Sequence, residues 1–93
     1  MIIGTCKVYM SADWVDTLKE KRTVVKSIVE RVKNRFNVSI AEIEDQDVHR
    51  SIVIGYACVT NSRRLADEIV HNVLNFIERN TDAVVQDVIA EIF

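Results

Sequence analysis

The sequence predicts an α+β sandwich of element order βαββαβ, a four-stranded antiparallel sheet with two helices on one face. Three observations carry this. Apolar residues alternate over 2–11, two segments repeat them at helical spacing over 18–36 and 65–77, and the segments between are short and β-branched. With 93 residues, 48% apolar and 28% charged, the chain has the size of one domain, expected over 1–93.

The first strand is predicted over 2–11, with Ile2, Gly4, Cys6, Val8 and Met10 on one side and Ile3, Thr5, Lys7, Tyr9 and Ser11 on the other. After a loop, Thr17-Leu18-Lys19-Glu20 has the spacing of a capping box, so the first helix is expected to begin at Leu18. On a helical wheel Leu18, Val24, Val25, Ile28, Val29, Val32 and Phe36 share an arc of roughly 140°, which must pack on a sheet. Asn37 follows, a residue that tolerates the left-handed conformation that often ends helices. A second strand is predicted over 38–44 and a third over 51–61, the latter apolar on both faces and therefore central. Asn61 or Ser62 can cap a second helix running to about Arg79, and 83–93 closes the chain as a strand.

Right-handed crossovers interleave these elements into a sheet of order 4-1-3-2, the ferredoxin-like arrangement. Strands one and three are then the inner pair. Gly4 and Gly55 are expected on those strands beneath the helices, where a missing side chain permits close approach.

Composition excludes several functions. The chain has no proline and two glycines, both inside apolar runs, so no glycine-rich loop can cradle a phosphate. No apolar run reaches the roughly 20 residues of a membrane span, and the N-terminus lacks the pattern of an export signal; a cytoplasmic location without membrane contact is expected. Cys6 and Cys58 are too few for a disulfide framework, and with His49 and His71 they make no metal-ligand spacing, so neither metal nor cofactor is expected. The loop Ser11-Ala12-Asp13-Trp14-Val15-Asp16 places two carboxylates where a phosphate-ester enzyme would seat its substrate. No catalytic set emerges, and the chain is expected not to be an enzyme.

Charge is distributed unevenly. The net charge is −2, yet residues 19–35 carry seven cations and two carboxylates, a net of +5 against −7 elsewhere. Lys19, Arg22, Lys26 and Lys33 fall on an arc of about 60° beside the apolar face, and Arg31 and Arg35 flank its other edge. Such a stripe is a candidate track for the phosphates of RNA, with Arg31 and Arg35 as secondary phosphate contacts. Lys19, Lys21 and Arg22 also sit in the first turn, where the helix dipole disfavours cations by about 0.3 to 1 kcal/mol each unless an anion binds. The competing reading is a solvated face, its cations paired with Asp13, Asp16, Glu20 and Glu30.

The sheet offers a second candidate surface. Helices on one face leave the other uncovered, and Ile3, Tyr9, Ile52, Ile54 and Tyr56 are candidates for an apolar interface there, with Val85, Ile89 and Phe93 adding to it. A homodimer or another protein partner would cover such a face; equally, part of strand three belongs to the core, because its inward parity is ambiguous. Ile54-Gly55-Tyr56-Ala57-Cys58-Val59 keeps the glycine and tyrosine of an RNA-recognition motif but lacks its other aromatics, so Tyr9 and Tyr56 are expected as ordinary sheet residues.

The run Thr17-Leu18-Lys19-Glu20-Lys21-Arg22, Val24-Val25-Lys26-Ser27 and Arg35-Phe36-Asn37-Val38-Ser39-Ile40-Ala41-Glu42 resembles the signature of the YlxP-like family, with further likeness at Gln46-Asp47, Gly55 and Asn61. The resemblance covers essentially the whole chain. It implies a ferredoxin-like fold and, because members are often encoded beside a translation initiation factor and ribosome-binding factor A, RNA or ribosomal components as partners. It brings no catalytic residues with it. His49 and Trp14 depart from the family pattern.

Overall fold

The computed structural model describes residues 1–93. Its elements are β1 (Ile2–Ser11), α1 (Leu18–Arg35), β2 (Ser39–Glu44), β3 (Ser51–Thr60), α2 (Arg63–Arg79) and β4 (Val84–Ile92). The four strands form one antiparallel sheet of order β2-β3-β1-β4 with both helices on one face, a ferredoxin-like βαββαβ fold, as the sequence predicts.

Each helix begins where its cap dictates. Thr17 Oγ1 accepts from the Glu20 amide at 3.1 Å, starting α1 at Leu18. Ser62, rather than Asn61, caps α2 by accepting from the Leu65 amide at 3.3 Å. The end of α1 differs from expectation: Phe36, in extended conformation, closes it with its amide bonded to Val32 O, and Asn37 takes no left-handed conformation. Phe36 gains its place by packing, its ring meeting Phe76 of α2 edge to face at 5.5 Å.

The core lies between sheet and helices. Cys6, Val8 and Met10 of β1 meet Val25, Ile28 and Val32 of α1 and Val70, Val73 and Ile77 of α2. Burying each such side chain contributes roughly 1.5 to 3 kcal/mol before ordering costs. The β1–β3 register settles the parity of β3. Val8 pairs with Ile54, Cys6 with Tyr56 and Met10 with Ile52, so Ile52, Ile54 and Tyr56 point to the helices and are buried. These three are therefore core and not part of an open-face interface, whereas Ile3 and Tyr9 do lie on the open face. Phe93 bonds Ile3 in both directions and joins that face, as does Ile89 opposite Lys7; Val85 instead packs on the core.

The two glycines part ways. A Cβ on Gly4 would stand 3.1 Å from Cys58 Sγ and Val70 Cγ2 and 3.3 Å from Ala66 Cβ, so α2 does sit directly on this strand. Gly55 pairs with Lys7 and faces the uncovered side, where its missing Cβ admits Ile43. Ile43 follows Ala41 onto that face by strand alternation, and a bulge between Glu42 and Glu44 brings Glu44 to it as well, opposite Val53.

Candidate functional site

The helix α1 divides into faces that its sequence anticipates except at one position. Lys19, Arg22, Lys26 and Lys33 are all exposed. Only Lys26 has an acidic partner, Glu30 one turn on at 3.9 Å, and Lys19, Arg22 and Lys33 pair with no carboxylate. Asp16 and Glu20, placed to neutralise the stripe, are otherwise engaged: Asp16 pairs with Arg50 at 3.2 Å and Glu20 closes the cap. The four cations thus form an open basic strip.

Arg31 and Arg35 do not join it. They project from the opposite edge of α1 toward α2, Arg31 donating to the Asn80 carbonyl at 3.4 Å and Arg35 lying over the Phe76 ring at 5.3 Å. Arg79 of α2 lines the same interhelical surface.

Lys21 is the exception within α1. It is 1% exposed, donates to the carbonyl of Asp45 and lies 3.0 Å from Glu42 Oε2. Counting it among the exposed cations overlooks its place on the wheel, one turn before Val25 and between Leu18 and Ile28, in the middle of the apolar arc. The dipole penalty of a first-turn cation is therefore met here by Glu42.

The open sheet face holds few ionic groups and several apolar ones. Lys7 pairs with Glu44 and lies 5.1 Å from the Tyr9 ring centroid, contacts that push the Lys7 ammonium above the usual lysine range, the Glu44 bond first among them. Val59 is 68% exposed and Phe93 59%, at the end where Ile3 pairs with both. Val53 is fully buried beneath its neighbours, although its register with Tyr9 puts it on this face. Tyr56 cannot stack on a base: its hydroxyl donates to the Val70 carbonyl at 2.7 Å inside the core.

His49 stands in the exposed β2–β3 connection beside Asp16, Asp47 and Arg50, and His71 bonds within its own helix to Asp67. No group of three or more His, Cys, Asp or Glu side chains comes together. No helix is long and apolar enough to cross a membrane.

Fold and surfaces together define a small α+β protein with one sheet face uncovered and one basic helix. The chain belongs to the family described as "Protein of unknown function (DUF503)", whose model matches residues 3–89. The uncharacterized protein YlxP of Bacillus subtilis (strain 168) is 47% identical over 62 residues, 67% of this chain and 67% of that protein. Among solved structures the de novo designed protein Foldit4 superposes with a TM-score of 0.50 at 14% identity, covering 99% of this chain and 94% of its own, a likeness of fold alone.

Proposed function

We propose that the chain is a non-enzymatic binding protein of the cytoplasm that contacts RNA, alone or within the ribosome, through Lys19, Arg22, Lys26 and Lys33 of α1. The observation that supports this is that Lys19, Arg22 and Lys33 are exposed and pair with no carboxylate, which leaves their charged groups available to phosphates. Each phosphate contact is weak, and four together give an affinity that falls steeply with salt.

Fluorescence anisotropy of a labelled RNA oligonucleotide over a salt series tests this. Four contacts predict a slope of log K on log salt of roughly −3, about a 50-fold loss between 50 and 200 mM. Lys26→Glu with Lys33→Glu is expected to weaken binding at least about tenfold while leaving the circular dichroism unchanged. Salt-insensitive binding, or an unaltered affinity in the double variant, removes the stripe from the function.

A second reading rests on the exposed Val59, Phe93, Val84 and Ile89 of the open face, which suit a protein partner or a second copy of the chain. Light scattering at high micromolar concentration separates the two: a monomer rules out self-association through the sheet.

A further inference from the structure

Two hollows lie along the seam of α1 and α2, on the edge of α1 opposite its lysine stripe. One, of about 460 Å³, is bounded by Trp14, Ser27, Arg31, Arg79 and Asp82. The other, of about 540 Å³, is bounded by Arg35, Asn72, Asn75 and Arg79. Arg79 and Asn80 border both, so these are the two ends of one groove.

Its charge is positive and uncommitted. Three arginines from two helices meet one carboxylate, Asp82, which pairs with none of them. Arg31 spends one donor on the Asn80 carbonyl, and Arg35 engages the face of Phe76, which leaves its N–H edge free. A guanidinium carries five N–H donors in a planar fork, so most remain open to a phosphate. The amides of Asn72 and Asn75 are exposed beside them, each offering a donor and an acceptor side by side.

Trp14 stands at one end, 47% exposed. Its loop is tied down on both sides. Ala12 and Val15 are fully buried, the Ala12 amide donates to Arg50 O at 2.8 Å, and Arg50 Nε donates to Val15 O at 3.1 Å. A large apolar ring is thus held out on a fixed anchor beside an arginine-lined groove.

We propose that this groove binds single-stranded RNA, with a base stacked on Trp14, phosphates on Arg31 and Arg79, and base edges on Asn72 and Asn75. Stacking on an aromatic ring and amide contacts to base edges both require unpaired bases. The hollows, of about 460 and 540 Å³, fall in the range of roughly 300 to 1,000 Å³ typical of small-ligand clefts, the scale of a splayed nucleotide and far below that of a duplex. An acidic peptide fits less well: it has no use for the ring or the paired amides. The inference rests on the reading that the chain contacts RNA, and it makes the groove, rather than the lysine stripe, the element that selects single strands.

Trp14 is the only tryptophan of the chain, so its emission reports on this groove alone. The experiment titrates the full chain with a riboadenylate dodecamer, with the dodecamer annealed to its complement, with polyphosphate of matched charge and with oligoglutamate, following Trp14 emission and the anisotropy of labelled ligand. The dodecamer is expected to quench Trp14 saturably, the duplex and polyphosphate to bind without quenching, and oligoglutamate to do neither. Arg31→Ala with Arg79→Ala should weaken the dodecamer at least tenfold with the fold intact, since both side chains are exposed. Lys26→Glu with Lys33→Glu should lower affinity yet preserve full quenching at saturation. Dodecamer binding without quenching overturns the groove and leaves the stripe standing. No binding by any polyanion overturns both, and equal quenching by oligoglutamate or duplex overturns the choice of single-stranded RNA.

Discussion

The ammonium of Lys21 lies 3.0 Å from Glu42 Oε2, at an angle that makes no hydrogen bond to that oxygen, while donating to the carbonyl of Asp45. One buried cation of α1 thereby ties down the end of β2 and the first residue of the β2–β3 connection. Asp45 itself has a φ of 57°, a left-handed conformation that turns its carbonyl to the ammonium, and its carboxylate accepts from Ser51 Oγ at 2.7 Å.

Removing one member of this pair should cost far more than removing both. Lys21→Met leaves the Glu42 side chain, 17% exposed, and the Asp45 carbonyl without their cation, an expected loss of about 2 to 4 kcal/mol. Glu42→Leu leaves the ammonium unpaired at comparable cost. The double variant should lie within about 1.5 kcal/mol of the parent, because the two apolar groups need no compensation and only the hydrogen bond to the Asp45 carbonyl is lost. Urea denaturation of all four proteins gives the coupling energy, and additive losses would show the pair to be independent.

The two glycines predict opposite outcomes for the same substitution. Gly4→Ala brings a methyl to 3.1–3.3 Å from Cys58, Val70 and Ala66, three buried side chains that must each shift by a few tenths of an ångström at once; a loss of about 1 to 3 kcal/mol is expected. Gly55→Ala meets only Ile43, whose Cδ1 would lie 2.7 Å away but whose side chain is exposed and can swing aside. That change should fall within about 0.5 kcal/mol of neutral, the crowding offset by the lower entropy of unfolded alanine. Thermal melts resolve the difference at roughly 4 to 8 °C per kcal/mol for a domain of this size.

Element order and strand order were legible because hydrophobic period and capping chemistry are local. Thr17 marks the start of α1 whatever surrounds it, and the pair Asn61-Ser62 marks that of α2 to within one residue. The parity of β3 was not legible, because Ile52, Val53, Ile54 and Tyr56 are apolar on both faces and only pairing with Val8 and Met10 decides which residues point inward. The face taken by Gly55 depends on its register with Lys7, a long-range pairing with no local signal. Of the cationic surface, the stripe followed from the wheel, and the approach of Arg31 and Arg35 to α2 followed only as far as their edge of α1. Arg79 and Trp14 come to the same groove from elements distant in sequence.

The thiols should be inert in the native protein. Cys6 and Cys58 are both free and buried, and burial pushes the Cys6 thiol above its usual range, contact with Tyr56 offsetting part of the rise. Ellman's reagent at neutral pH is expected to label neither thiol on the timescale of minutes and both in denaturant. Rapid labelling of one thiol without denaturant would mean that α2 opens locally over β1 and β3.

Tyr56 gives stability a dependence on alkaline pH. Burial raises its phenol above the ordinary 10.0, and contact with the Cys6 thiol raises it further. A group whose folded value lies above its unfolded value holds protons that the unfolded chain has released. Its contribution is complete below the unfolded value and declines as pH rises from there toward the folded one. Stability should therefore be level through neutral pH and fall above about pH 9 to 10, Cys6 contributing at the lower end of that range. Tyr56→Phe removes the bond to the Val70 carbonyl and should cost about 1 to 1.5 kcal/mol at pH 7. The same variant should lose less stability than the parent between pH 9 and pH 11, so the two denaturation midpoints converge as pH rises. Parallel midpoints across that range would show that Tyr56 does not carry the alkaline transition.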